Sequence, residues 1–187
     1  MSEPRIRQYA RDRGFGPQTL ERWLSWAQPA RDALFRLTVA LRIGENHLRD
    51  FMDWLEEIAL RDQFEIEQIL GSKSISEIES DPRFGRADKL KRIKEEIRRL
   101  RFPRLAQTED AIRMRIQELK LHPEIRLTVP AGLEGGELRV ELSVSTEDQL
   151  RKLTAKLANA LDKGQVREIF ALLAGHDVDN GSKSADK

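Results

Sequence analysis

Apolar positions recur along most of the chain at three- and four-residue steps and alternate strictly in one stretch only, which predicts a mainly α protein with a single β-hairpin. Residues 5–13 read as a short arginine-rich helix stopping at Gly14, a residue able to take positive φ at a helix end. Pro17 suits the first turn of a second helix, which reaches about Trp26 with Leu20, Trp23 and Leu24 on one face and Pro29 marking its end. A third segment runs from Ala30 to Ile43 and is ended by Gly44. Asn46 is placed to cap a fourth helix, whose Leu48, Phe51, Met52, Leu55, Ile58 and Ala59 form the strongest amphipathic stripe in the chain. Phe64, Ile66, Ile69 and Leu70 continue it briefly to Gly71, and Gly71 to Ser74 reads as a loop, with one more turn at Ser76 to Glu79.

From Ala87 to Arg101, Leu90, Ile93, Ile97 and Leu100 make a narrow apolar stripe on an otherwise cationic helix, which Pro103 interrupts. Thr108 reads as the cap of a helix carrying Ile112, Ile116 and Leu119. The period then changes: Ile125, Leu127 and Val129 alternate with polar residues, and so do Leu138, Val140, Leu142 and Val144 after a glycine-rich turn at 131–136. Ser145, with Asp148 three residues on, reads as the cap of a helix striped by Leu150, Leu153, Leu157 and Leu161 and closed by Gly164. A last helix carries Val166, Ile169, Phe170 and Leu173 and is closed by Gly175. The expected organisation is a helical domain at 1–70 with a candidate helix-turn-helix and a linker at 71–86. A basic helix plus a small α+β unit (helix, hairpin, two helices) at 87–175 and a disordered polar tail at 176–187 complete it.

Composition narrows the function classes. Charged residues make up 35% of the 187, well above an average globular domain, yet the net charge is only +1. The charge is segregated: residues 51–82 carry 2 basic and 9 acidic side chains, and residues 83–105 carry 10 and 3. Either the two stretches lie against each other, or the basic one faces phosphates, whose neutralisation releases condensed counterions. There is no cysteine, which excludes disulfides, thiolate nucleophiles and cysteine-held metals. Residues 1–20 contain four arginines and no apolar signal core, and no uncharged run reaches the roughly 18 residues of a membrane span, so a cytoplasmic location without membrane contact is expected.

Ala10, Gly14, Phe15, Leu20 and Trp23 fit the spacing of a helix-turn-helix, in which a small residue and a turn glycine let two helices meet closely. Arg13 departs from it, standing at a place usually apolar. Such a unit would direct Gln18, Thr19 and Arg22 to base edges and leave Arg5, Arg7, Arg11 and Arg13 for phosphates. The same spacing also serves plain helical packing. On the basic helix the expected phosphate contacts are Lys91, Lys94, Arg98, Arg99 and Arg101, with Arg104 just beyond. Phe102 lies among cations, as a base-stacking residue would, although core is the commoner place for a phenylalanine. Among the tryptophans, Trp26 is the one to expect at a binding surface.

Signals of enzyme chemistry are missing. His47, His122 and His176 occur singly, without a second histidine at the four-residue spacing of a helical metal site. Glu56-Glu57 and Glu95-Glu96 are adjacent and so point to different helix faces, and no phosphate-binding glycine loop or nucleophile elbow is present. No metal, cofactor or catalytic residue is expected.

Three stretches carry a family resemblance: residues 46–62 (Asn46 to Asp62), residues 81–92 (Asp81-Pro-Arg-Phe-Gly-Arg-Ala-Asp-Lys-Leu-Lys-Arg92) and residues 100–105 (Leu100-Arg-Phe-Pro-Arg-Leu105). They resemble the region downstream of the nuclease-like domain in bacterial proteins of the ParB-like class, which act in DNA partition or related DNA binding. The resemblance extends over residues 8–145 and implies a free-standing relative of that DNA-associated part. The arginine-rich nucleotide-binding boxes of the ParB N-terminal domain are absent, so neither CTP binding nor clamp gating is implied. The leading expectation is therefore a non-enzymatic DNA-binding protein. The alternative is a protein-interaction or self-association module in which the acidic and basic segments of neighbouring chains complement each other.

Overall fold

The computed structural model describes residues 3–176, and among them the chain is helical apart from one two-stranded sheet. Most of the tail expected to be disordered, residues 177–187, lies outside the described residues. The chain divides into two compact units, one ending at Phe102 and the other beginning at Pro103.

The first unit contains α1 (Glu3–Asp12), α2 (Pro17–Ser25), α3 (Gln28–Leu41), α4 (Glu45–Asp62), α5 (Ile66–Leu70), α6 (Lys73–Ser80) and α7 (Arg86–Arg101). Its centre is α4, whose Leu48, Phe51, Met52, Leu55 and Ile58 are buried along one face, each contributing roughly 1.5–3 kcal/mol of apolar transfer. That face meets α7 and α2, while α3 packs on α5 and α7, and α6 on α7. Ile93 and Ile97 of α7 are fully buried in this core, with Leu90 and Leu100 packed beside them. The basic helix is thus a core helix of the first unit, and the division falls after Phe102 rather than at 71–86. The expected loop at 71–74 is also corrected. Lys73 already belongs to α6, because Ile75, fully buried, with Ile78 gives that segment an apolar side to lay on the core.

Several helix ends differ from expectation for local reasons. Pro29 sits in the first turn of α3, where its missing N–H costs nothing, rather than just after α2. Gly44, not Asn46, is the N-cap of α4. α3 ends on Arg42 in the left-handed conformation (φ 51), so the chain reverses before Gly44 without a glycine at the turn itself.

The second unit contains α8 (Pro103–Glu118), β1 (Ile125–Thr128), a 3-10 turn (Ala131–Gly136), β2 (Arg139–Leu142), α9 (Glu147–Leu161) and α10 (Gly164–Leu173). Pro103 opens α8, and Thr108, expected as its cap, lies inside it with its hydroxyl donating to the Arg104 carbonyl at 3.1 Å. The hairpin is as expected: β1 and β2 are antiparallel, with Ile125 opposite Leu142 and Leu127 opposite Val140. α8 and α9 both pack on α10, and the core gathers Ile112, Leu119, Leu121, Ile125, Leu153 and Ile169. The cap of α9 is Thr146, whose hydroxyl accepts from Gln149 N–H while the Gln149 side chain accepts from Ser145 N–H, one residue later than expected. Gly164 opens α10 instead of closing α9.

Candidate nucleic-acid interface

The α1–turn–α2 segment has helix-turn-helix geometry at its elbow. Ala10 is fully buried, Gly14 takes φ +69, and Phe15 N–H donates to the Ala10 carbonyl at 2.8 Å, which locks the turn. A side chain at Gly14 would be strained at that φ, so the glycine is required there. Two of the three residues expected to reach bases, however, are turned inward. Thr19 is buried, and its hydroxyl donates to Glu45 Oε1 at 2.6 Å; the same oxygen accepts from Gly16 N–H at 2.9 Å. These two donors hold the Glu45 carboxyl below its ordinary value. Arg22 forks onto Glu56 through Nε (3.1 Å) and Nη2 (2.6 Å) and reaches Asp53 through Nη1 (2.6 Å). The paired carboxylates raise its already high pKa, so its charge is committed to α4. The exposed side of α2 is left with Pro17, Gln18, Glu21 and Ser25, a face with no cation and one acid. Gln18 alone of the three expected base-reading residues is free to project.

On α1, Arg5 lies over the Phe35 ring at 5.5 Å and Arg7 pairs with Glu3 at 2.6 Å. Arg13 reaches the Arg42 carbonyl at 3.4 Å, and Arg11 is exposed with no ion pair among the described residues. An exposed intrahelical pair such as Arg7–Glu3 is screened by water and does not remove the arginine from a competing phosphate.

The acidic face of α4 lies between α2 and the basic α7 and is occupied from both sides. Arg22 takes Asp53 and Glu56, as above. From α7, Lys94 pairs with Asp50 at 2.7 Å and lies 5.3 Å from the Trp54 ring, and Arg101 pairs with Glu57 at 2.7 Å and lies 5.8 Å from the same ring. Arg98 donates to Glu95 at 2.8 Å, and Arg99, half-buried, is also engaged. Trp26 closes the arrangement by donating its indole N–H to Glu56 at 2.7 Å, which makes it a junction residue between α2 and α4. Of the basic-helix residues expected to meet phosphates, Lys94 and Arg101 are taken by α4, Arg98 pairs within α7, and Arg99 is half-buried and engaged. Only Lys91 is exposed and unpaired among the described residues; Arg104, in the second unit, is exposed in the first turn of α8.

Cations remain outward in the loop before α7 and on its N-terminal half, and apart from Lys91 they are ones that the sequence reading passed over. Phe84 is flanked by two guanidinium groups, Arg92 at 3.9 Å and Arg83 at 5.7 Å from its ring centroid. Arg86, Lys91 and Arg92 are exposed and form no ion pair among the described residues. Arg83 is turned back by Asp81, whose carboxyl is pulled down to about 2 by the guanidinium and by Arg83 N–H. Lys89 donates to the Glu79 carbonyl, and burial pushes the Glu79 carboxyl up. Electrostatics of individual residues could not have revealed this patch in the sequence, because it is defined by which cations α4 does not take.

No group of three metal-ligating side chains comes together among the described residues. His47 lies beside Lys94 (3.3 Å) and Asp50, as part of the α4–α7 pairing. No helix among the described residues is long and apolar enough to cross a membrane. Comparison with protein-family models, with curated proteins and with solved structures finds no match to this chain.

Proposed function

We propose that this chain is a DNA-binding protein without catalytic activity of its own, and that its phosphate-facing surface is the loop before α7 and the N-terminal half of that helix. The observation that carries this reading is the Arg92 guanidinium held over the Phe84 ring, with Arg86 and Lys91 exposed on the same helix and free of ion pairs among the described residues. The Arg92 guanidinium, held on an aromatic face, loses part of its conformational freedom in advance and keeps its N–H edge for phosphate oxygens, whereas that of Arg83 is taken by Asp81. The same residues fall in one of the stretches, 81–92, that resemble the ParB-like class, which supports a role in DNA partition or a related DNA-binding process.

Because α2 turns Thr19 and Arg22 inward, the expected mode is contact with the backbone rather than reading of bases, so affinity is largely indifferent to sequence. The test is binding to random-sequence duplex DNA at a series of salt concentrations. A slope of log affinity against log salt equivalent to several phosphates is expected. Absence of binding at low salt, or binding indifferent to salt, overturns the proposal.

A further inference from the structure

The hairpin of the second unit is a sheet of two strands, so β2 has one edge paired to β1 and the other open. Two strands alone are marginal in water and depend on a third strand or on packing. β1 has that support: Ile125 is 1% exposed and Leu127 8%. Their partners on the same face of the sheet do not share it equally. Leu142 is half-buried, but Val140, directly opposite Leu127, is 41% exposed, and Val144, two residues past Leu142, is 38% exposed. β2 therefore overhangs the core that β1 covers. The segment 138–144 also lacks the proline and lysine with which monomeric proteins protect an open edge. Its two charges, Arg139 and Glu141, are of opposite sign.

We propose that β2 pairs with β2 of a second copy of this chain, antiparallel and centred on Val140, to make a four-stranded sheet across a two-fold axis. This inference is independent of the DNA-binding proposal. It rests on the register. With Val140 opposite its own copy, Arg139 of each chain faces Glu141 of the other, and Leu138 faces Leu142. Combined with the observed pairing of β1 and β2, every row across the four strands is then consistent. On the inner face, one row reads Leu127, Val140, Val140, Leu127. The rows on either side of it read Ile125, Leu142, Leu138, and then Val129 where the register is continued one residue beyond the observed pairs. On the outer face the row reads Arg126, Glu141, Arg139, Thr128, so each glutamate lies between two arginines. Moving the centre by one residue to Glu141 sets the two Glu141 carboxylates against each other, and opposed like charges destabilise a strand pair. A self-complementary patch of this kind closes as a dimer and leaves no further copy to add at β2.

The full-length protein is tested by sedimentation over a range of concentrations and by single cysteines, which the natural chain lacks. Val140→Cys is expected to form a disulfide-linked dimer under mild oxidation, since directly opposed residues of an antiparallel pair have Cα atoms about 4.5–5.5 Å apart, within disulfide reach. Arg139→Cys is expected not to, because its own copy lies two residues away along the strand. Charge reversal adds a readout that loss of folding cannot mimic. Arg139→Glu and Glu141→Arg each oppose like charges and are expected to weaken the dimer when alone, whereas mixing the two variants restores both ion pairs and gives a heterodimer. A protein that stays monomeric at every concentration overturns the proposal. So does cross-linking of Arg139→Cys as readily as Val140→Cys, or a dimer whose two charge variants do not prefer each other.

Discussion

Replacing Arg86, Lys91 and Arg92 together by glutamine removes three outward cations and leaves the buried stripe of α7, Ile93 and Ile97, in place. Each phosphate neutralised on duplex DNA adds about 0.9 to the slope of log affinity against log salt, so losing three contacts makes the slope shallower by about 2.7. Between about 50 and 200 mM salt that difference is a factor of roughly forty: the natural protein loses about forty times more affinity over this range than the triple variant does. Fluorescence anisotropy with a labelled random-sequence duplex measures both slopes directly. The matching control is Lys94→Gln with Arg101→Gln. These side chains are spent on Asp50 and Glu57, so their loss is expected to leave the slope where it was and to lower the thermal midpoint, because two carboxylates of α4 lose their partners. A triple variant with the natural slope, or a control pair that flattens it by about 1.8, refutes the division of α7 into an outward and an inward set of cations.

Three further outcomes are expected. Glu45→Ala leaves the buried Thr19 hydroxyl and the Gly16 N–H without their acceptor and should destabilise the first unit by about 1–2 kcal/mol in urea titrations. Since the Glu45 carboxyl is held below its ordinary 4.5, this contribution is complete above that pH and disappears as pH falls through the lower folded value. The gap between natural protein and variant should therefore close in acid; a gap that widens there contradicts the assignment. Ile97→Ala opens a cavity at a fully buried site and should cost about 2–5 kcal/mol, seen in hydrogen exchange as loss of protection across α4 and α7; unchanged protection in α4 would show that α7 is not a core helix. Thr146→Ala removes the acceptor for Gln149 N–H and should lower the stability of α9 by about 1 kcal/mol, whereas Ser145→Ala, which keeps that acceptor, should have a smaller effect on thermal unfolding.

Helices with a full apolar stripe were legible in the sequence almost to the residue. α4 is the clearest case, since Leu48, Phe51, Met52, Leu55 and Ile58 repeat over more than three turns and all are buried. The hairpin was equally plain, because a change from helical to two-residue period has no other economical reading. What misled was local punctuation. Glycine and proline mark both the end of one helix and the start of the next, so Pro29 and Gly164 were set on the wrong side of a junction. Ile75 and Ile78 are only two apolar residues, too few to outweigh a serine-rich surrounding in sequence, yet enough to seat α6 once α7 provides a surface.

The site was less legible, because a charge count assigns sign to a segment but not a direction to each side chain. The acidic α4 and the basic α7 do lie against each other, through Asp50 with Lys94 and, two helical turns further along the shared face, Glu57 with Arg101. That contact is fixed by where Ile93 and Ile97 are buried: with those two facing α4, Lys94 and Arg101 flank the seam and meet its carboxylates, while Lys91 and Arg92 fall on the far side. The same seam explains Arg22, which approaches α4 from α2 and takes the two carboxylates, Asp53 and Glu56, that α7 leaves. The helix-turn-helix spacing thus gave the right elbow and the wrong outward face. Glycine at the turn and alanine in the first helix constrain how α1 meets α2, but it is α4, nearly thirty residues downstream, that decides which side of α2 meets solvent. A search for phosphate contacts in such a chain should start by subtracting the cations within reach of the strongest acidic helix. On α7, once Lys89, Arg98 and Arg99 with their own partners are also set aside, the subtraction leaves Arg86, Lys91 and Arg92.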